Sequence, residues 1–80
     1  MRLRLISPTK IEYEGDVEMV LLPGDEGEFG ILPHHMKMVA SLTEGEVKIH
    51  AGKKTESICI KGGVLSIGDD DKVDVMVRGL

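Results

Sequence analysis

The sequence predicts an all-β domain, a flattened antiparallel sandwich or barrel, on three observations. Turn signals built from Gly, Pro and Asp recur at the roughly eight-to-twelve-residue spacing of short strands. Between them apolar residues alternate with polar ones, the period of a half-buried strand, and no window carries helical spacing. The apolar residues are mainly Val, Ile, Leu and Met, with Tyr13 and Phe29 the sole aromatics and no Trp. That set suits packing between sheets.

The elements follow in order. Leu3 and Leu5 alternate with Arg2 and Arg4, and Ser7-Pro8-Thr9 ends this strand because Pro8 breaks pairing and restricts Ser7. Ile11 and Tyr13 alternate with Lys10, Glu12 and Glu14 as far as Gly15-Asp16, which reads as a two-residue hairpin turn. Val17 to Leu22 starts alternating and ends apolar on both faces, as a strand entering a two-layer interior does. An acidic loop follows, punctuated by Pro23-Gly24, Gly27, Gly30 and Pro33 and carrying Asp25, Glu26 and Glu28. Met36 to Leu42 reads as the next strand, closed by Thr43-Glu44-Gly45. Beyond it Val47, Ile49 and Ala51 face away from Glu46, Lys48 and His50. Gly52-Lys53 reverses the chain into Thr55–Ile60, Gly62-Gly63 separates that run from Val64–Ile67, and Gly68–Asp71 turns it into the final strand of Val73, Val75 and Val77.

Eighty residues suffice for one domain, spanning 1–80, that buries roughly 60% of its unfolded surface. With 41% apolar and 30% charged residues the chain is globular in composition. A net charge of -4 argues against nucleic acid as a partner, since a phosphate reader clusters Lys and Arg. The lone Cys59 alternates with Ile58 and Ile60 and is expected to be buried as a small hydrophobe. No run of eighteen apolar residues occurs, so no direct membrane insertion is expected.

Chemistry-bearing constellations are absent from the pattern. His34, His35 and His50 with Cys59 lack the paired short spacings of a structural zinc site, and adjacent histidines on a strand point to opposite faces. Asp69, Asp70, Asp71 and Asp74 lack the alternating ligands and terminal Glu of a calcium loop. Ser7, Ser41, Ser57 and Ser66 have no glycine-flanked elbow, and Cys59 has no activating neighbour. Asp25, Glu26 and Glu28 crowd a turn without an apolar pocket that would raise a carboxyl pKa. No catalytic residue, metal or cofactor is expected, and the acidic turn reads as a surface for recognition.

Three stretches in this order, Glu14-Gly15-Asp16, then GDEGEFGILPHH (24–35), then Gly62-Gly63-Val64-Leu65, make the whole chain resemble the N-terminal domain of the epsilon subunit of F-type ATP synthases. The resemblance implies a flattened β-sandwich of about ten short strands, without the C-terminal helical hairpin that many family members carry. It implies a non-catalytic central-stalk subunit that binds the gamma subunit and the c ring and couples ion-driven rotation to ATP synthesis. It places the complex so that this chain is peripheral on the cytoplasmic face of the bacterial inner (plasma) membrane. By resemblance Glu28, Phe29 and Gly30 face the c ring, and Ser7 and His35 lie against gamma. A chain ending at Leu80 is expected to lack the hydrolysis restraint and nucleotide sensing of the helices, hence no ATP binding.

Three positions depart from the family pattern. His34 replaces a glycine and Lys37 a proline of the usual Pro-Gly-His-Ala-Pro, and Lys61 stands where Ser commonly precedes the Gly pair. The tetrapeptide His35-Met36-Lys37-Met38 also resembles the core of biotin-carrying β-domains, with Lys37 as the modified residue. There the lysine occupies an exposed hairpin tip, whereas the apolar run after Lys37 reads as strand.

Overall fold

The computed structural model describes residues 1–34 and 36–80. Its strands are β1 (Arg2–Ile6), β2 (Ile11–Asp16), β3 (Met19–Gly24), β4 (Gly27–Ile31), β5 (Met38–Ala51), β6 (Lys54–Ile67) and β7 (Lys72–Val77), with no helix among the described residues. They form a single sheet in the order β2-β1-β7-β6-β5-β3-β4. The all-β sandwich expected from the sequence is therefore present, but with seven strands.

The lower count has a physical origin in β5 and β6, which are 14 residues each. A straight strand of that length would reach roughly 46 Å at about 3.3 Å per residue, yet the molecule's longest extent is 26 Å. Both strands must bend, and the pairing shows how. Met38–Leu42 pairs with Gly63–Ile67, which continues through β7 to β1 and β2; Glu44–Ala51 pairs with Lys54–Lys61 and, on its other side, with β3. One hairpin thus contributes to both layers. Thr43-Glu44-Gly45 and Gly62-Gly63, expected to end strands, lie inside them.

The bend depends on two adjacent glycines. Gly62 has φ +99, a left-handed value that side chains disfavour. Gly63 lies so close to β7 that a Cβ would collide with the Met76 carbonyl oxygen and sit 2.9 Å from the Val77 Cα.

Two further expectations are corrected. Gly15 and Asp16 do not turn the chain back; they are the last residues of β2, opposite Leu3 and Arg2. The chain instead crosses between layers at Val17-Glu18, where the Val17 amide donates to the Met1 carbonyl and the Glu18 amide to the His50 carbonyl. Nor is the sheet wholly antiparallel, because β1 and β7 run parallel, from Arg2↔Lys72 to Ile6↔Met76.

Alternation aims one residue in two at a common core. Leu3, Leu5, Leu65, Val73 and Val75 from one layer meet Val20, Leu22, Ile31, Val47, Ile49 and Ile60 from the other, all nearly inaccessible. Cys59 is exposed, contrary to expectation, because buried Ile60 and half-buried Ile58 define the inner side of β6 and period 2 puts Cys59 on the other.

Candidate docking surface

The acidic segment is a tight hairpin at one edge of the sheet. Expected to be loop throughout, it contains strand β4 at Gly27–Ile31, and only Asp25 and Glu26 lie between the closing pair Gly24↔Gly27. Gly27, at φ +122, adopts a backbone open to glycine. Phe29 pairs with Leu22 and packs on the core, while its ring lies over Gly24, where a Cβ would stand 2.8 Å from two ring carbons. Gly30, opposite Leu21, is exposed.

Glu28 stands opposite Pro23, so its side chain leaves the sheet beside a residue with no N–H to offer. Its carboxylate reaches Lys48 of β5, with Oε2 3.4 Å from Nζ and both side chains substantially exposed. Beneath the turn lies an open depression of about 480 Å³, bordered by Asp25, Glu26 and Glu28 on one side and by Met38, Ala40 and Ser41 on the other. The hairpin therefore presents carboxylates and bare backbone on a surface fixed from below by one aromatic ring.

Ser7 occupies a different place. It is buried, and its hydroxyl donates to Glu12 Oε2 at 2.8 Å and lies 3.1 Å from the Lys10 carbonyl, while its amide donates to that same carbonyl. Ser7 organises the β1–β2 turn, whose outer residues Pro8, Thr9 and Lys10 are exposed. His35 lies outside the described residues. Glu28, Phe29 and Gly30 are thus together on β4, whereas Ser7 belongs to the turn at the opposite edge of the sheet order.

The connection from β4 to β5 meets the β6–β7 turn. The His34 amide donates to Asp71 Oδ1 at 2.6 Å, His34 Nδ1 lies 3.1 Å from Asp71 Oδ2, and Lys37 Nζ lies 2.7 Å from Asp69 Oδ1. Lys37 precedes β5 in this connection and is not at the tip of a two-strand hairpin. His50 Nδ1 lies 3.2 Å from the Thr55 hydroxyl across the β5–β6 hairpin. Among the described residues no group of three or more His, Cys, Asp or Glu side chains could hold a metal ion. Among the described residues no helix is long and apolar enough to cross a membrane.

Neither Lys48 nor the Asp69 and Asp71 partners were found from the sequence. These contacts join residues far apart in the chain, and nothing local signals them.

On the far side of the sheet, Arg4 Nε donates to Asp74 Oδ1 at 3.0 Å across the parallel β1–β7 pair. That hydrogen bond, followed by the carboxylate's charge, raises the guanidinium pKa further.

The chain is thus a small β-sandwich domain whose distinctive surface is shaped by backbone and exposed carboxylates. Residues 1–80 match the family described as "ATP synthase, Delta/Epsilon chain, beta-sandwich domain", and the chain belongs to that family. It is 41% identical over 70 residues to the ATP synthase epsilon chain of Leptospira borgpetersenii, covering 88% of this chain and 55% of that one. Against the ATP synthase epsilon chain of Aliarcobacter butzleri the identity is 39% over 79 residues, covering 99% and 62%. The chain thus spans little more than half the length of such relatives.

Solved structures agree on the fold. A chain of the Euglena gracilis mitochondrial ATP synthase OSCP/F1/c-ring structure superposes with a TM-score of 0.87 at 26% identity, covering 94% of this chain and 48% of that one. A chain of the Tetrahymena thermophila mitochondrial ATP synthase central stalk/c-ring structure gives 0.83 at 18% identity, covering 98% and 63%, and bears on fold alone.

Proposed function

We propose that this chain is a non-catalytic central-stalk subunit of a rotary F-type ATP synthase, binding gamma and the c ring so that ion-driven rotation is coupled to ATP synthesis. The observation that carries this reading is the family match along all 80 residues. In this role Glu28, Phe29 and Gly30 face the ring loops, and the Ser7 turn and His35 lie against gamma. The Ser7 hydroxyl is spent inside its turn, so Ser7 shapes the surface that Pro8, Thr9 and Lys10 present.

The chain does no chemistry and binds no ATP. It works by staying rigid between two partners, peripheral to the cytoplasmic face of the bacterial inner membrane through the complex. A close-packed interior compresses little, and the shared core of the two layers supplies that property. The carboxylate of Glu28, held beside Lys48, sets register against polar ring loops more than it adds affinity.

Co-expression with a gamma subunit tests the reading. A stable stoichiometric complex that also retains the c ring is expected. Failure to bind gamma from any relative, or saturable ATP binding in calorimetry, would refute it.

A further inference from the structure

His34 and Lys37, which both depart from the family pattern, both reach the β6–β7 turn through polar side-chain atoms. We infer that Asp71, with Asp69 beside it, is a positioning residue: it holds the β4–β5 connection in a backbone shape that glycine would otherwise supply.

Backbone geometry carries the inference. His34 has φ +65, in the left-handed region that L side chains avoid and glycine accepts freely. The histidine keeps this conformation because both oxygens of one carboxylate grip it. Asp71 Oδ1 accepts the His34 amide at 2.6 Å, and Oδ2 faces Nδ1 at 3.1 Å. A carboxylate accepting a backbone N–H is among the stronger protein hydrogen bonds. Asp71 is only a quarter exposed and is itself fixed, since its carbonyl accepts the Arg2 amide at 2.9 Å.

The second contact, Lys37 to Asp69 at 2.7 Å, anchors the other end of the connection just before β5 begins. The turn bearing these acids is built for left-handed residues, with Asp70 and Asp71 at φ +58 and +57. Its carboxylates therefore face the connection without distorting the hairpin.

This arrangement makes His34 and Asp71 interdependent. Removing the carboxylate frees His34 to leave its left-handed conformation, whereas glycine at position 34 needs no clasp. Because the clasp fixes His34 and Lys37 in this connection, it also shapes the surface that meets gamma, a consequence that rests on the function proposed above.

Hydrogen exchange of the His34 amide, the N–H that Asp71 Oδ1 accepts, reads the clasp in the isolated 80-residue chain without gamma. Asp71→Gly keeps a residue suited to the turn while deleting the grip. It is expected to speed His34 exchange by roughly threefold to tenfold with the urea midpoint unchanged or higher. The double variant His34→Gly/Asp71→Gly, which needs no clasp, should match His34→Gly in urea midpoint. His34 exchange no faster in Asp71→Gly than in the parent chain would overturn the positioning role. So would a parallel fall in global stability in Asp71→Gly and the more conservative Asp71→Asn, which would make Asp71 a turn residue only.

Gamma affinity is the second arm. It should fall several-fold in Asp71→Gly and recover in the double variant. Altered exchange with unaltered gamma binding keeps the clasp and removes its part in docking.

Discussion

Glu28 illustrates how little stability an exposed ion pair supplies. With both side chains at least a third exposed, the Glu28–Lys48 pair contributes about 0–1 kcal/mol. Glu28→Lys should therefore lower unfolding free energy by less than about 1 kcal/mol in urea titration, while it weakens retention of the c ring at pull-down. A variant that folds and holds the ring normally would remove Glu28 from the contact. Glu28 itself was legible, because three carboxylates among glycines mark a turn; its cation was not, since Lys48 looked like any outward residue of a strand. Cys59 makes the opposite point. Residue type argued for burial, but period 2 between two inward isoleucines had already placed it outside, and geometry prevailed over type. It follows that a maleimide should label Cys59 under native conditions as fast as a small exposed thiol, whereas labelling only after denaturant would return it to the core.

The elements were read best where one strand forms one face of one layer. β1 and β7 stand close to their expected places because their alternation is unbroken and ends at a turn, and β3 because its apolar run stops at Pro23-Gly24. β5 and β6 were each divided in two because glycine usually punctuates, yet at Gly62-Gly63 it permits a continuous strand to bend and another backbone to approach. The Gly15-Asp16 turn failed for a related reason: local turn chemistry says nothing of which strand will pair next, and β3 found β5 across the molecule. Comparing two glycines tests this account. Gly63→Ala drives a methyl into the β7 backbone and should cost about 1–3 kcal/mol, the range of an overpacked site. Gly68 meets nothing within 4 Å of an added Cβ and has no left-handed backbone, so Gly68→Ala should be neutral or stabilise by up to about 1 kcal/mol. Urea midpoints of the two variants decide it, and equal losses would show that the bend does not depend on close approach.

At the scale of the whole molecule, one core serves both layers, and β5–β6 runs through both. Because the two layers share one core, neither opens without exposing the other, so unfolding should be a single cooperative transition. Domains of this size hold about 4–12 kcal/mol in total, and one Leu→Ala in the core removes about 2–5 kcal/mol. Leu22, on β3, and Leu65, in the second half of β6, are both fully buried and belong to different layers. Truncating either should shift the same transition, with circular dichroism and Tyr13 fluorescence moving together, even though Tyr13 lies on β2 at the edge of the Leu65 layer. Were Leu22→Ala to separate the two signals, the layers would be opening independently. The sandwich would then yield at the bend, contrary to the rigid role proposed for it. Coincident transitions in both variants mean that the β5–β6 hairpin, bent at Gly62-Gly63, joins the layers into one unit, with the β3–β4 hairpin and the β1–β2 turn fixed relative to each other.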